Sequence, residues 1–186
     1  MAHLLRLASI VALALAAVAT PLSPRAAAGA CANPSVVSSK TIGGVLFSTL
    51  ECPDHAVKPS TSAVPDPVNV CGDVCNTFCG SFGPLPPITE DCAMIVDATQ
   101  VFASTLPPTF IMQPGQTESL SYGTCEYYFT NNGTVPLEGC WTSFMQQASA
   151  AGTICFPPTQ PINSLGACKA PDGTWELGAE HSLPLP

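Results

Sequence analysis

Two stretches in the second half of the chain repeat apolar residues at helical spacing. In the first, Cys92, Ile95, Val96, Thr99, Phe102 and Ala103 fall on one side of a 3.6-residue period. This predicts a helix over 90–104, opened by Thr89 with Glu90 and Asp91 in its first turn and stopped by Pro107-Pro108. In the second, Cys140, Trp141, Phe144, Met145, Ala148 and Ala151 predict a helix within 137–154, ending near Gly152. Between the two, the period changes. Over 120–130 the chain alternates, with Gly123, Cys125, Tyr127 and Phe129 on one face of a strand and Tyr122, Thr124, Glu126, Tyr128 and Thr130 on the other. A short strand is predicted over 109–113. Another covers 174–181, where Trp175, Leu177 and Ala179 alternate with Glu176 and Glu180. Residues 155–171 read as loop, Asn131-Asn132-Gly133-Thr134 as a turn, and 41–50 as a strand or hairpin weakened by Gly43-Gly44. Helices and strands mixed in this way make an α+β chain.

The first third is organised differently. Leu7 to Ala19 is apolar and follows a weakly basic start with His3 and Arg6. The run is shorter than the roughly 20 residues that span a bilayer and has the length of a signal-peptide core. Ala17-Val18-Ala19 offers small residues at the cleavage positions, so 1–19 is expected to be a signal peptide, with Ala28-Gly29-Ala30 as the alternative site. A lipidated Cys31 is disfavoured because it stands well beyond the apolar core and no leucine opens the box. No later stretch is long and apolar enough to cross a membrane, so the product is expected to be secreted. Residues 20–67 form an N-terminal segment holding Cys31 and Cys52 and ending in a Pro-rich linker. Residues 68–182 form a cysteine-rich domain.

The leader changes the meaning of the cysteines. Ten are present, at Cys31, Cys52, Cys71, Cys75, Cys79, Cys92, Cys125, Cys140, Cys155 and Cys168. An even number in a secreted chain reads as a set of disulfides. Cys71, Cys75 and Cys79 would share one face of a helix, which also suggests a metal site. In an oxidising compartment, three sulfurs stapled to three different neighbours is the stronger reading, and no metal is expected. The two-cysteine segment and the eight-cysteine domain each hold an even number, so each can close its own bridges; Cys31–Cys52 is the expected pair.

Charge removes several classes of function. Loss of Arg6 and Arg25 with the leader and trimming leaves three lysines against thirteen carboxylates. Such a chain repels nucleic acid and anionic membranes and has no guanidinium with which to grip a phosphate. Only His55 and His181 lie beyond the leader, neither beside a nucleophile motif, so a histidine-based hydrolase is not expected. A polysaccharide hydrolase using two acids stays open as a lesser alternative, although Glu90-Asp91 is explained by the helix dipole. The most suggestive patch is the even face of the 120–130 strand. Tyrosines, threonines and a glutamate together offer what a sugar needs: an apolar ring for its C–H face and hydrogen-bonding groups for its hydroxyls. The plainer reading is a strand face packed under a helix. Trp141 and Trp175 fall on apolar stripes and read as core. Asn132 heads the one glycosylation sequon.

From Cys71 to His181 the chain resembles the Y-three-type glycan-binding domain of small secreted basidiomycete lectins. The residues that carry the resemblance are Cys71-Gly72, Cys75 and Cys79, then Asp91-Cys92 opening a helix. Gln113-Pro114-Gly115, the strand Cys125-Glu126-Tyr127-Tyr128-Phe129 and Trp141 follow. Cys155, Gly166-Ala167-Cys168 and Asp172-Gly173-Thr174-Trp175 complete the set. The resemblance implies a small disulfide-rich αβα sandwich, an antiparallel sheet of a few strands between helices. It further implies glycan binding without catalysis or cofactor, a role in fungal defence, and a homodimer as one assembly. The carbohydrate contacts expected from the aromatic and polar strand face itself, not from the family, are Tyr122, Glu126, Tyr128 and Asn131. The rival expectation is an apoplastic effector or inhibitor acting on a host protein.

Overall fold

The structure is a computed structural model that describes residues 34–52, 65–81, 85–103, 105–158 and 160–182. The expected leader, Cys31, His55 and most of the Pro-rich linker lie outside the described residues. Seven strands form one antiparallel sheet in the order β1 (Ser35–Ile42), β2 (Val45–Glu51), β6 (Gln116–Tyr122), β7 (Cys125–Asn131), β10 (Trp175–His181), β9 (Leu165–Lys169) and β4 (Asn76–Gly80). A smaller sheet joins β3 (Val68–Asn69), β8 (Leu137–Cys140) and β5 (Thr109–Met112). The two helices among the described residues are α1 (Thr89–Phe102) and α2 (Trp141–Cys155).

Alternation along β7 sorts the core. Cys125 is bonded to Cys92 of α1, and the ring of Phe129 lies 5.6 Å from that of Phe144 in α2. Both helices therefore lie on the face that carries Cys125, Tyr127 and Phe129. They bury Ile95, Phe144, Met145 and Ala148 against Leu120, Leu177 and Trp175, each large side chain contributing roughly 1.5–3 kcal/mol. The antiparallel sheet matches expectation. The layering of helices on both faces is not seen among the described residues, where α1 and α2 share one side and also touch each other.

Several predicted elements have different bounds. The 120–130 strand is a hairpin, turning at Gly123-Thr124 between β6 and β7. Gly123 adopts φ +54°, and a side chain there would run into the carboxylate of Asp91, whose Oδ2 accepts from both the N–H and the hydroxyl of Thr124 at 2.7 Å. The second helix starts at Trp141 because the residues before it pair as β8. The predicted 155–171 loop contains β9, on which α2 sits so closely that a Cβ on Gly166 would meet the carbonyl of Ala151.

Cys71, Cys75 and Cys79 do not share a helical face. The segment runs into the strand β4, and the sulfurs bond to Cys140, Cys168 and Cys155 respectively. With Cys92–Cys125 this gives four disulfides among the described residues, and Cys52 is also disulfide-bonded. Bridges closing loops of 33 to 93 residues restrict the unfolded chain by roughly 3–5 kcal/mol each in the chain-entropy model. Four such bonds mark an oxidising compartment. No helix of the described residues is long and apolar enough to cross a membrane.

Candidate functional site

The four residues expected to contact sugar divide two and two. Paired residues in an antiparallel ladder share a face, and Tyr122 pairs with Cys125 while Asn131 pairs with Trp175. Tyr122 and Asn131 therefore lie on the helix side, and Glu126 and Tyr128 on the other. Asn131 is fully buried and committed to the backbone: its Nδ2 donates to the carbonyls of Met112 and Val135, and its Oδ1 accepts from the N–H of Gly133. Those bonds shape the turn ahead of β8, with the sequon residue Asn132 exposed on it.

Tyr128 is also fully buried. Its hydroxyl donates to Glu176 at 3.0 Å, and its ring packs with Ala167 and Leu165. Ser119 donates to Glu126 at 2.6 Å, and Thr117 and Thr130 are bonded at 2.9 Å. Burial, followed by the charges of Glu176, Glu180 and Glu126, holds the Tyr128 hydroxyl well above its usual titration range. Burial likewise pushes Glu126 up to about 7, partly offset by Ser119. The sugar-facing surface expected of this strand is thus an internally satisfied polar layer, and among the described residues no buried side-chain polar atom lacks a partner.

Trp175 is core, as expected. The other histidine, His181, places its Nδ1 3.3 Å from the carbonyl oxygen of Pro86. Trp141 departs from expectation. Its ring lies against Phe110 at 4.3 Å and edge-on to Phe47 at 6.0 Å, yet it is half-buried and borders two concavities.

The larger concavity is a groove of about 590 Å³ between α1 and α2. Met145 and Val96 contribute apolar surface, Trp141 stands at one end, and Gln100, Thr142, Gln146 and Thr153 are exposed along it. A neighbouring depression of about 240 Å³ shares Val96, Ser149 and Thr153 and extends toward Phe156. Beneath the junction, Ser149 hydrogen-bonds the hydroxyl of Tyr127, whose titration is raised chiefly by burial. Thr99 and Thr153 bond back to the helical carbonyls of Ile95 and Ser149. No charged side chain lines the groove among the described residues. What remains is a trough with amide and hydroxyl groups on its walls and apolar atoms at its floor. It suits an uncharged polar ligand with one apolar face.

Reading only the apolar stripe of α2 misses this site. The signal is present in the complementary stripe, where Thr142, Gln146, Ser149 and Thr153 recur at spacings of four, three and four. Compared with protein-family models, with curated proteins and with solved structures, the chain matches none.

Proposed function

We propose that the protein is a secreted, lectin-like chain that binds a neutral glycan, without catalysis, in the groove between α1 and α2. The observation that carries this reading is α2 itself. It is a fifteen-residue helix with a solvent-facing side and no charged residue. Exposed helix faces are ordinarily rich in Lys and Glu. Here that face carries Thr and Gln beside Trp141, a set that can exchange neutral hydrogen bonds with sugar hydroxyls and cover a C–H face with an indole. The resemblance to Y-three-type glycan-binding domains points the same way. In that reading an αβα layering would set a second layer over the Tyr128 face, and the contacts would move from that face to the helices.

A glycan array probed with the Asn132→Gln protein tests the proposal. Enrichment of at least one oligosaccharide, reduced about tenfold by Gln146→Ala, is expected; that reduction corresponds to about one lost hydrogen bond to a ligand. Absence of any enrichment removes the reading. A second reading, an inhibitor that engages a host protein, is favoured by strand β1, which has exposed Val36 and Val37 and is an edge strand among the described residues, so that it could add to another sheet. Capture of a protein partner that Val37→Lys abolishes, with no sugar competition, would favour it.

A further inference from the structure

Trp141 also borders a smaller pocket of about 260 Å³ on the sheet side, built from β1, β2 and β6. Ser38 donates to the hydroxyl of Thr49 at 3.1 Å, and Thr49 donates to Oε1 of Glu118 at 2.8 Å, so three strands present one hydrogen-bonded line. Phe47 lies beside it, with Lys40 Nζ 5.9 Å from the ring centroid. Among the described residues Lys40 and Glu118 are the charged groups of the lining; β2 contributes Phe47, Ser48 and Thr49, and α2 contributes Trp141.

We propose that this pocket is a second saccharide subsite, in which the ionised Glu118 carboxylate accepts hydroxyls of one sugar unit while Trp141, shared with the interhelical groove, supplies the apolar surface between the two compartments. The proposal rests on the glycan reading of the groove and makes the ligand a neutral oligosaccharide that reaches both sides of the indole. The carboxylate disfavours phosphate and other anions, and the Lys40 ammonium disfavours cations. Burial raises Glu118 to about 7 against the pull of Thr49 and Lys40, so the empty site is largely protonated in acid. Donated sugar hydroxyls favour the ionised form. Binding and proton release are therefore linked, and affinity grows as the pH rises.

The test is calorimetric titration of chitotetraose, cellotetraose, mannotetraose and laminaritetraose into the full-length secreted protein at pH 5.5 and pH 8, with indole fluorescence followed in parallel. For whichever sugar binds, affinity is expected to rise about 30-fold between the two pH values, the ratio of ionised fractions for a group titrating near 7. Glu118→Gln should bind at least about 30-fold more weakly than wild type at pH 8, as weakly as wild type does at pH 5.5, and lose the pH dependence. Thr49→Val, which keeps the charge and volume, should weaken binding several-fold. Gln146→Ala should weaken binding with the pH profile intact. Melting curves at pH 5.5 confirm that each variant is folded. A sugar bound equally by wild type and Glu118→Gln, or an affinity that falls with rising pH, overturns the subsite and leaves the groove reading standing. Binding of none of the four overturns both.

Discussion

The two faces of β7 carry opposite chemistries only one side chain apart. Cys125, Tyr127 and Phe129 enter a cluster in which the rings of Phe110, Phe144 and Trp175 lie within about 6 Å of Phe129. Glu126, Tyr128 and Thr130 enter a layer of cross-strand hydrogen bonds in which two glutamates, Glu126 and Glu180, stand directly opposite each other. Every residue of the strand is buried. The apolar face is held by shape and volume and has little to titrate. The polar face is held by hydrogen bonds and by the protonation state of its acids, so its stability depends on solution conditions. Burial alone therefore does not reveal what stabilises a face.

The contrast can be broken most strongly from the apolar side. Phe144→Ala removes a fully buried ring and should cost about 3–5 kcal/mol in urea unfolding, with little dependence on pH. A smaller effect should come from titrating the polar side. Glu126 has its folded value raised above that of the unfolded chain, so the native state holds the proton more tightly. Its contribution is fully present below about 4.5, declines as the pH climbs, and is lost above about 7. Glu118 changes in the same direction on the helix side of the sheet. Denaturation from pH 4.5 to pH 8 should show the decline, and Glu126→Gln and Glu118→Gln should each remove part of it. A wild type no less stable at pH 8 would show that the polar layer does not behave as described.

Gly166→Ala tests the fit between sheet and helix. The added methyl meets the backbone of Ala151, which cannot swing aside, so a loss of about 1–3 kcal/mol at all pH values is expected from chemical denaturation. The smallest effect should be that of Tyr128→Phe, which keeps the ring and deletes one hydrogen bond to Glu176. About 1 kcal/mol is expected, and a thermal melt should resolve it from the Phe144→Ala loss. Equal effects from these two substitutions would mean that the two faces do not differ as argued.

Much of this architecture was legible from residue order. The apolar period at Cys92, Ile95 and Thr99 marked α1, and Thr174 to His181 marked β10, because amphipathic elements announce their buried side by spacing alone. The 120–130 alternation holds along β7, but the stretch also contains the turn that joins β7 to β6. Local alternation does not distinguish Gly123 from another strand position; the turn is fixed there by Asp91, remote in sequence, which accepts from the backbone N–H of Thr124 beside it. The candidate site was less legible. The Tyr and Glu positions suggested a sugar face, but alternation says which residues share a side and not whether that side meets solvent.

Sequence by itself determined that the cysteines would be oxidised crosslinks and that the chain mixes helix and strand. These follow from composition, compartment and short-range periodicity, none of which needs a partner element. Only the tertiary structure decided which sulfurs meet, that Tyr122 and Tyr128 lie on opposite sides of one sheet, and that Trp141 stands between two concavities. Those are relations between segments tens of residues apart. They are set by how helices seat on a sheet, which local pattern constrains only by sign and not by address.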